Sequence, residues 1–280
     1  MAWKRRMLIF VPLLILVILM RLSPVYYGIR SVVVMWPYSR YHESMSLIKQ
    51  HDFHLKMPTD SKEEKDRWYP LMLVFQDSNG FSNWTGGPWD LTVLYRFGGF
   101  ELLKKNAAYF DRESSRFSSF YGAYLIRNTD ESGNIYGYDE SGQMIPEDFM
   151  RVTEYDQRFL VMPSLGLSHR EVVFEVDMLE KQQDVTYLQR ESWTRVDALI
   201  KTNSPEHHYA EHQQGYLQYG LPLPPPKGKN DFYPVTLYGR IYATVIESHD
   251  LTLALYILAP DQKTLEEVDS RHLSRTEISY

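Results

Sequence analysis

The chain has 280 residues, a net charge of −6, 44% hydrophobic and 24% charged residues, and no cysteine. That composition suits a folded globular protein rather than wholesale disorder, and the acidic balance argues against a nucleic-acid role, which needs a basic face. Without cysteine there are no disulfides, iron–sulfur clusters, thiolate zinc sites or cysteine nucleophiles, so any metal must be held by His, Asp or Glu.

Lys4, Arg5 and Arg6 precede fourteen uncharged residues, 7–20, reading MLIFVPLLILVILM. A basic patch ahead of an apolar run marks an export signal or a signal anchor. At about 1.5 Å per residue the run covers roughly 21 Å, short of a ~30 Å hydrocarbon core. Arg21 can snorkel, which lets the helix extend past it. The following RLSPVYYG lacks the small-residue pair of a cleavage site, so an uncleaved anchor is expected. The positive-inside rule then makes residues 1–6 a cytoplasmic tip, residues 7–36 the membrane anchor and juxtamembrane segment, and residues 38–280 a single extracytoplasmic α+β domain. An exported domain without cysteine suggests a bacterial cell envelope.

Residues 38–50 have weak helical periodicity and are expected to link anchor to domain. Residues 53–57, 69–75, 89–97 and 118–127 read as strands, by alternation or as short apolar runs. Two Asp-x-x-Gly turns start at Asp130 and Asp139, with a strand-like stretch between them, and suggest a β-meander. Residues 170–178 read as a strand, 182–192 as a helix and 193–202 as a strand. A Pro/Gly-rich loop covers 219–231. Residues 233–246 and 251–258 read as two strands joined by a hairpin turn, and Asp261 is placed to cap a closing helix with Thr264 and Leu265 in its first turns. Helices and strands do not alternate regularly. The expected class is therefore α+β: a mainly antiparallel β-sheet domain with a few short helices, preceded by an N-terminal membrane-anchor helix.

Three of the nine histidines, His207, His208 and His212, fall within six residues. Ser204-Pro205-Glu206 reads as a helix start, with Ser as N-cap, Pro at the first position and an acid in the first turn. A helix over 205–214 would set His208 and His212 one turn apart, spaced to share a zinc ion, with Glu211 beside it to take a proton from bound water. The order His-x-x-Glu-His resembles the inverzincin metallopeptidase signature. That resemblance covers five residues. It implies a zinc-dependent hydrolase with a downstream glutamate as third ligand, for which Glu247, Glu266 and Glu267 are available. The alternative is a polar surface turn.

Residues 128–139 can be laid on a twelve-residue calcium loop, with Asn128, Asp130 and Ser132 at the first, third and fifth positions, Gly133 at the sixth and Asp139 at the last. The loop lacks the usual Asp at its start and Glu at its end, and its flanks are strand-like. Plain β-turns explain the same residues. No nucleotide-binding or nucleophile-elbow motif occurs. The aromatics Trp84, Trp89, Tyr95, Phe97, Phe100, Phe117, Phe120, Tyr121 and Tyr124 suit either a sugar- or peptide-binding surface or a sheet core, and the core is preferred.

The expected function is a membrane-anchored, extracytoplasmic, non-enzymatic binding or interaction protein of a bacterial cell envelope. It would need no cofactor, meet the membrane through residues 7–36 and meet an envelope protein or wall component through its domain, with neither nucleic acid nor nucleotide as partner. One alternative is a zinc hydrolase using His208 and His212 as ligands and Glu211 as base. Another is a regulator of a second membrane protein, acting through the anchor.

Overall fold

Two separate sets of buried side chains, one on each face of a single sheet, organise the protein in a computed structural model that describes residues 2–21, 24–58, 68–99, 108–130, 133–206 and 231–279. In chain order the described residues form α1 (Ala2–Arg21), α2 (Pro24–Met45), α3 (Leu47–Gln50), β1 (His54–Lys56), β2 (Leu73–Gln76), α4 (Ser78–Thr85), β3 (Trp89–Phe97), β4 (Phe120–Asn128) and α5 (Pro146–Tyr155). Then come a π-helical turn (Asp156–Val161), α6 (Met162–Leu165), β5 (Phe174–Tyr187), β6 (Arg190–Glu206), β7 (Asp231–Ile246), β8 (Leu251–Ala259), α7 (Gln262–Arg271) and β9 (Glu277–Ser279).

Seven strands form one antiparallel sheet in the order β2-β3-β4-β8-β7-β6-β5, and β1 pairs with β9 in a separate ribbon. The central strands are apolar on both faces. In β8, Leu251, Leu253, Leu255 and Ile257 point to one side, and Ala254, Tyr256 and Leu258 to the other. A strand buried on both faces reads as a continuous apolar run, which is why β3, β4 and β8 are evident from sequence. Helices α4, α5 and α6 and the π turn cover the first face. Helices α3 and α7 and the β1–β9 ribbon cover the second. The result is mixed α+β architecture with a mainly antiparallel sheet between two outer layers.

Gly122 is required at the sheet's centre. A Cβ there would meet the Leu94 carbonyl oxygen at 1.8 Å, while the Tyr256 hydroxyl donates to that same oxygen at 2.9 Å. Asp261 caps α7 as expected, accepting from the Thr264 amide at 2.7 Å.

Four local expectations are corrected. Residues 38–45 and 47–50 are helical as expected, in α2 and α3, but α2 is no free linker, since it docks on the sheet: Met35 is fully buried, and the Ser39 hydroxyl donates to the Met72 carbonyl at 3.1 Å and accepts from the Val74 amide at 2.9 Å. One turn on, His42 Nδ1 accepts from the Gln76 amide at 3.2 Å. These side chains satisfy the outer amides of β2, the edge strand, which would otherwise invite another chain to pair. Residues 182–192 hold no helix: 190–192 open β6 after a turn at 188–189, and 182–187 are strand. They continue β5, whose side chains are mostly exposed, so the apolar alternation that signals a strand is missing. Residues 203–206 extend β6, pairing with 231–234 of β7, so no helix starts at Ser204. The described residues between the turns at Asp130 and Asp139, 133–138, form no meander strand, and Tyr138 makes an isolated bridge to Met144 across the Asp139 turn.

Candidate functional site

The surface of α1 stands out first. Phe10, Val11, Leu13, Leu14, Ile15, Leu16, Val17, Ile18 and Leu19 are all between 49% and 68% exposed. At 3.6 residues per turn these consecutive positions cover every face of the helix, so it is apolar all round and not amphipathic. Each half-exposed side chain of this size costs about 1 kcal/mol in water. Such a helix calls for a lipid or protein cover. Among the described residues no helix is long and apolar enough to cross a membrane. In α1 the reason is its charged ends, because Lys4, Arg5, Arg6 and Arg21 confine the uncharged run to fourteen residues.

His207, His208, Glu211 and His212 lie outside the described residues. What the structure places is the approach to them. Ser204, Pro205 and Glu206 are paired strand residues opposite Tyr233, Phe232 and Asp231, and the Ser204 hydroxyl bonds that of Ser118. Of the glutamates available as third ligand, Glu266 gives both carboxylate oxygens to Arg240, at 2.8 and 3.0 Å. Glu247 sits in the short 3-10 turn between β7 and β8, and Glu267 lies on α7. Among the described residues no three His, Asp or Glu side chains group as a metal would need.

At the calcium-like loop, Asp139 Oδ1 accepts from the Ser141 amide at 2.9 Å, the Ser141 hydroxyl at 2.7 Å and the Gln143 amide at 2.9 Å. Asn128 Oδ1 likewise accepts from the Asp130 amide at 2.9 Å. Gly133 and Gly142 have φ of +73° and +78°. These are self-capped turns. The aromatic clusters are core: Tyr95, Phe97, Phe120, Tyr121 and Tyr124 are buried, and Trp84 and Trp89 pack against the core. Phe100 lies outside the described residues.

Two buried polar centres carry no sequence motif. On the first face Asp156 opens the π turn, fully buried, accepting from Tyr124 at 2.9 Å and also from Tyr95. Burial pushes its carboxyl up to about 7, against the lowering effect of the two phenols. The neighbouring Gln157 amide is buried with no hydrogen-bond partner among the described residues. A carboxyl that titrates near neutrality is a candidate proton carrier. Its surroundings argue against that role here. The residue is fully buried, and its two carboxylate oxygens are taken by the Tyr95 and Tyr124 hydroxyls.

On the second face Arg240 bonds Asp197 at 2.8 and 3.0 Å and Asp269 at 2.7 Å as well as Glu266. Tyr187 and Tyr242 donate to the Asp269 carboxylate, each at 2.7 Å. Burial works against the Arg240 charge, and the three carboxylates more than offset it, raising its pKa. Every member is engaged with another, so the cluster reads as the clamp that holds α7 to β6 and β7.

An open groove of about 370 Å³ lies where β6 begins and β7 ends. Arg190, Ser192, Trp193, Thr244, Glu247 and Leu253 are among its walls. Leu188, Gln189 and Ser192 nearby have φ of +50°, +61° and +69°, left-handed conformations that non-glycine residues adopt at a cost. Its walls mix apolar, polar and charged side chains. No protein-family model, curated protein or solved structure matches the chain.

Proposed function

We propose that the chain is a membrane-anchored binding or interaction protein of a cell envelope, with its sheet domain on the extracytoplasmic side and no catalytic role. The observation that carries this reading is the all-round exposed apolar surface of α1 behind a basic tip. The twenty-residue helix would be about 30 Å long, close to the hydrocarbon thickness, if its terminal cations snorkel to the headgroups. Lys4, Arg5 and Arg6 set its N-terminal end in the cytoplasm. The sheet domain, with its open groove and long exposed β5, supports binding better than chemistry. The one near-neutral buried carboxyl found among the described residues has both oxygens bonded to buried tyrosines.

The absence of cysteine supplies the test. Asp177, exposed on β5, is replaced by Cys and intact cells are treated with a membrane-impermeant maleimide. Labelling before lysis, in a chain that stays with the membrane fraction, is the expected result. Labelling only after lysis would reject the extracytoplasmic side. Recovery in the soluble fraction would reject the anchor.

A further inference from the structure

Helix α2 presents two stripes. Met35, Ser39 and His42, at helical spacing, face the sheet, and the hydrogen bonds of Ser39 and His42 lock that stripe to β2. The opposite stripe is Val33, Trp36, Pro37, Arg40, Tyr41, Ser44 and Met45, all exposed. Val33 is 64% exposed, Trp36 55% and Tyr41 62%, so the outer face of a firmly docked helix is mainly apolar and aromatic. Its polar members are muted. The Ser44 hydroxyl donates to the Tyr41 carbonyl at 2.6 Å, and Arg40 pairs with Glu43 at 3.0 Å while lying over the Trp36 ring.

We infer that this outer stripe of α2 lies on the bilayer surface, at the level of the lipid headgroups, and so stands the sheet edge-on to the membrane. The inference rests on α1 being the anchor. Helix α2 begins two residues after α1, so the stripe lies close along the chain to the end of the anchor. Trp and Tyr with one cation among apolar neighbours is the composition of the membrane–water interface, where amphipathic rings are favoured. Since Arg40 is paired, binding is through the exposed rings and not through charge, and acidic lipids are not required. The strand order sets the height of the opposite edge. With β2 held at the membrane by α2, β5 is six strand spacings away, about 29 Å.

The test uses the full cysteine-free chain in phosphatidylcholine vesicles. Single cysteines replace Leu16, Val33, Trp36, Tyr41 or Asp177, each carries an environment-sensitive fluorophore, and lipids spin-labelled in the headgroup or deep in the acyl chain serve as quenchers. The expected pattern has three parts. Position 16 is quenched from the acyl chain. Positions 33, 36 and 41 are quenched at least threefold more by the headgroup label than position 177. The double substitution Trp36→Glu with Tyr41→Glu abolishes quenching at position 33 but not at 16. Quenching at 16 with none at 33, 36 and 41 would overturn the surface contact and leave the anchor standing. No quenching at any position would overturn both. Shielding of 33, 36 and 41 that grows with protein concentration and ignores the lipid quenchers would assign the stripe to a second copy of the chain and overturn the inference.

Discussion

Asp156 is held between the Tyr95 and Tyr124 hydroxyls, and those two bonds only partly offset its burial. Its folded pKa of about 7 stands above the usual carboxylate range, so between about pH 4 and 7 the folded protein binds a proton that the unfolded chain has lost. The contribution to stability therefore falls as pH rises through that window, by on the order of 4 kcal/mol, and levels off above it. His272 works in the other direction. Burial and nearby arginines lower it to about 4, so its contribution rises over much the same range. The two oppose each other in the native protein, and a difference measurement separates them. Asp156→Asn is expected to gain stability relative to the native chain as pH rises from 4 to 7, measured by denaturant midpoints; a difference that stays flat with pH would show that Asp156 ionises normally. Arg240→Met is expected to cost about 3–5 kcal/mol, because Asp269 would remain buried without its cation. Neither residue was legible as special. Asp156 sits in an ordinary polar stretch, EYDQRF, and its burial depends on strands far away in the chain. Arg240 left a fainter trace, lying between Tyr238 and Tyr242 on alternate positions of β7, where an inward-facing cation demands partners. The His208, Glu211 and His212 motif was the most visible site in the sequence, and the part of it that geometry reaches, the start at Ser204, is strand.

Among elements, the strands with apolar residues on both faces were readable almost to the residue: 89–97 is β3, and 251–258 is all but one residue of β8. The edge strand β5 was not, since its second half, QQDVTY, is polar on both sides and fits a helix equally well. Helix α5 left a signal in Pro146-Glu147-Asp148, a proline at the first helical position followed by acids in the first turn. Helix α2 shows how an element acts through its side chains on a neighbour's backbone. Ser39→Ala removes both a donor to Met72 and an acceptor for Val74, leaving two backbone groups unmet. The expected cost is about 1–3 kcal/mol, with faster hydrogen exchange at the Val74 amide. Ser44→Ala, on the outer stripe, is expected to stay within about 0.5 kcal/mol of the native chain. Equal exchange rates at Val74 in the two variants would mean that Ser39 does not hold the edge.

At the scale of the whole molecule, the α+β class followed from the lack of regular helix–strand alternation. The order of the seven strands did not follow from it, because β8 pairs with β4 across more than 120 residues of sequence and no local pattern encodes such a pairing. The outer layers join through α2 on one edge and α7 on one face, while among the described residues α1 alone keeps an uncovered apolar surface on every side. That surface is the central claim. It is tested most directly by floating the purified full chain with lipid vesicles on a density gradient, beside the double substitution Leu14→Glu with Val17→Glu. The native chain is expected to rise with the lipid and stay there after a high-salt or alkaline wash, with the substituted chain at least tenfold depleted from the lipid fraction and still folded by circular dichroism. A native chain that remains at the bottom of the gradient, or a substituted chain that floats equally well, would contradict the anchor.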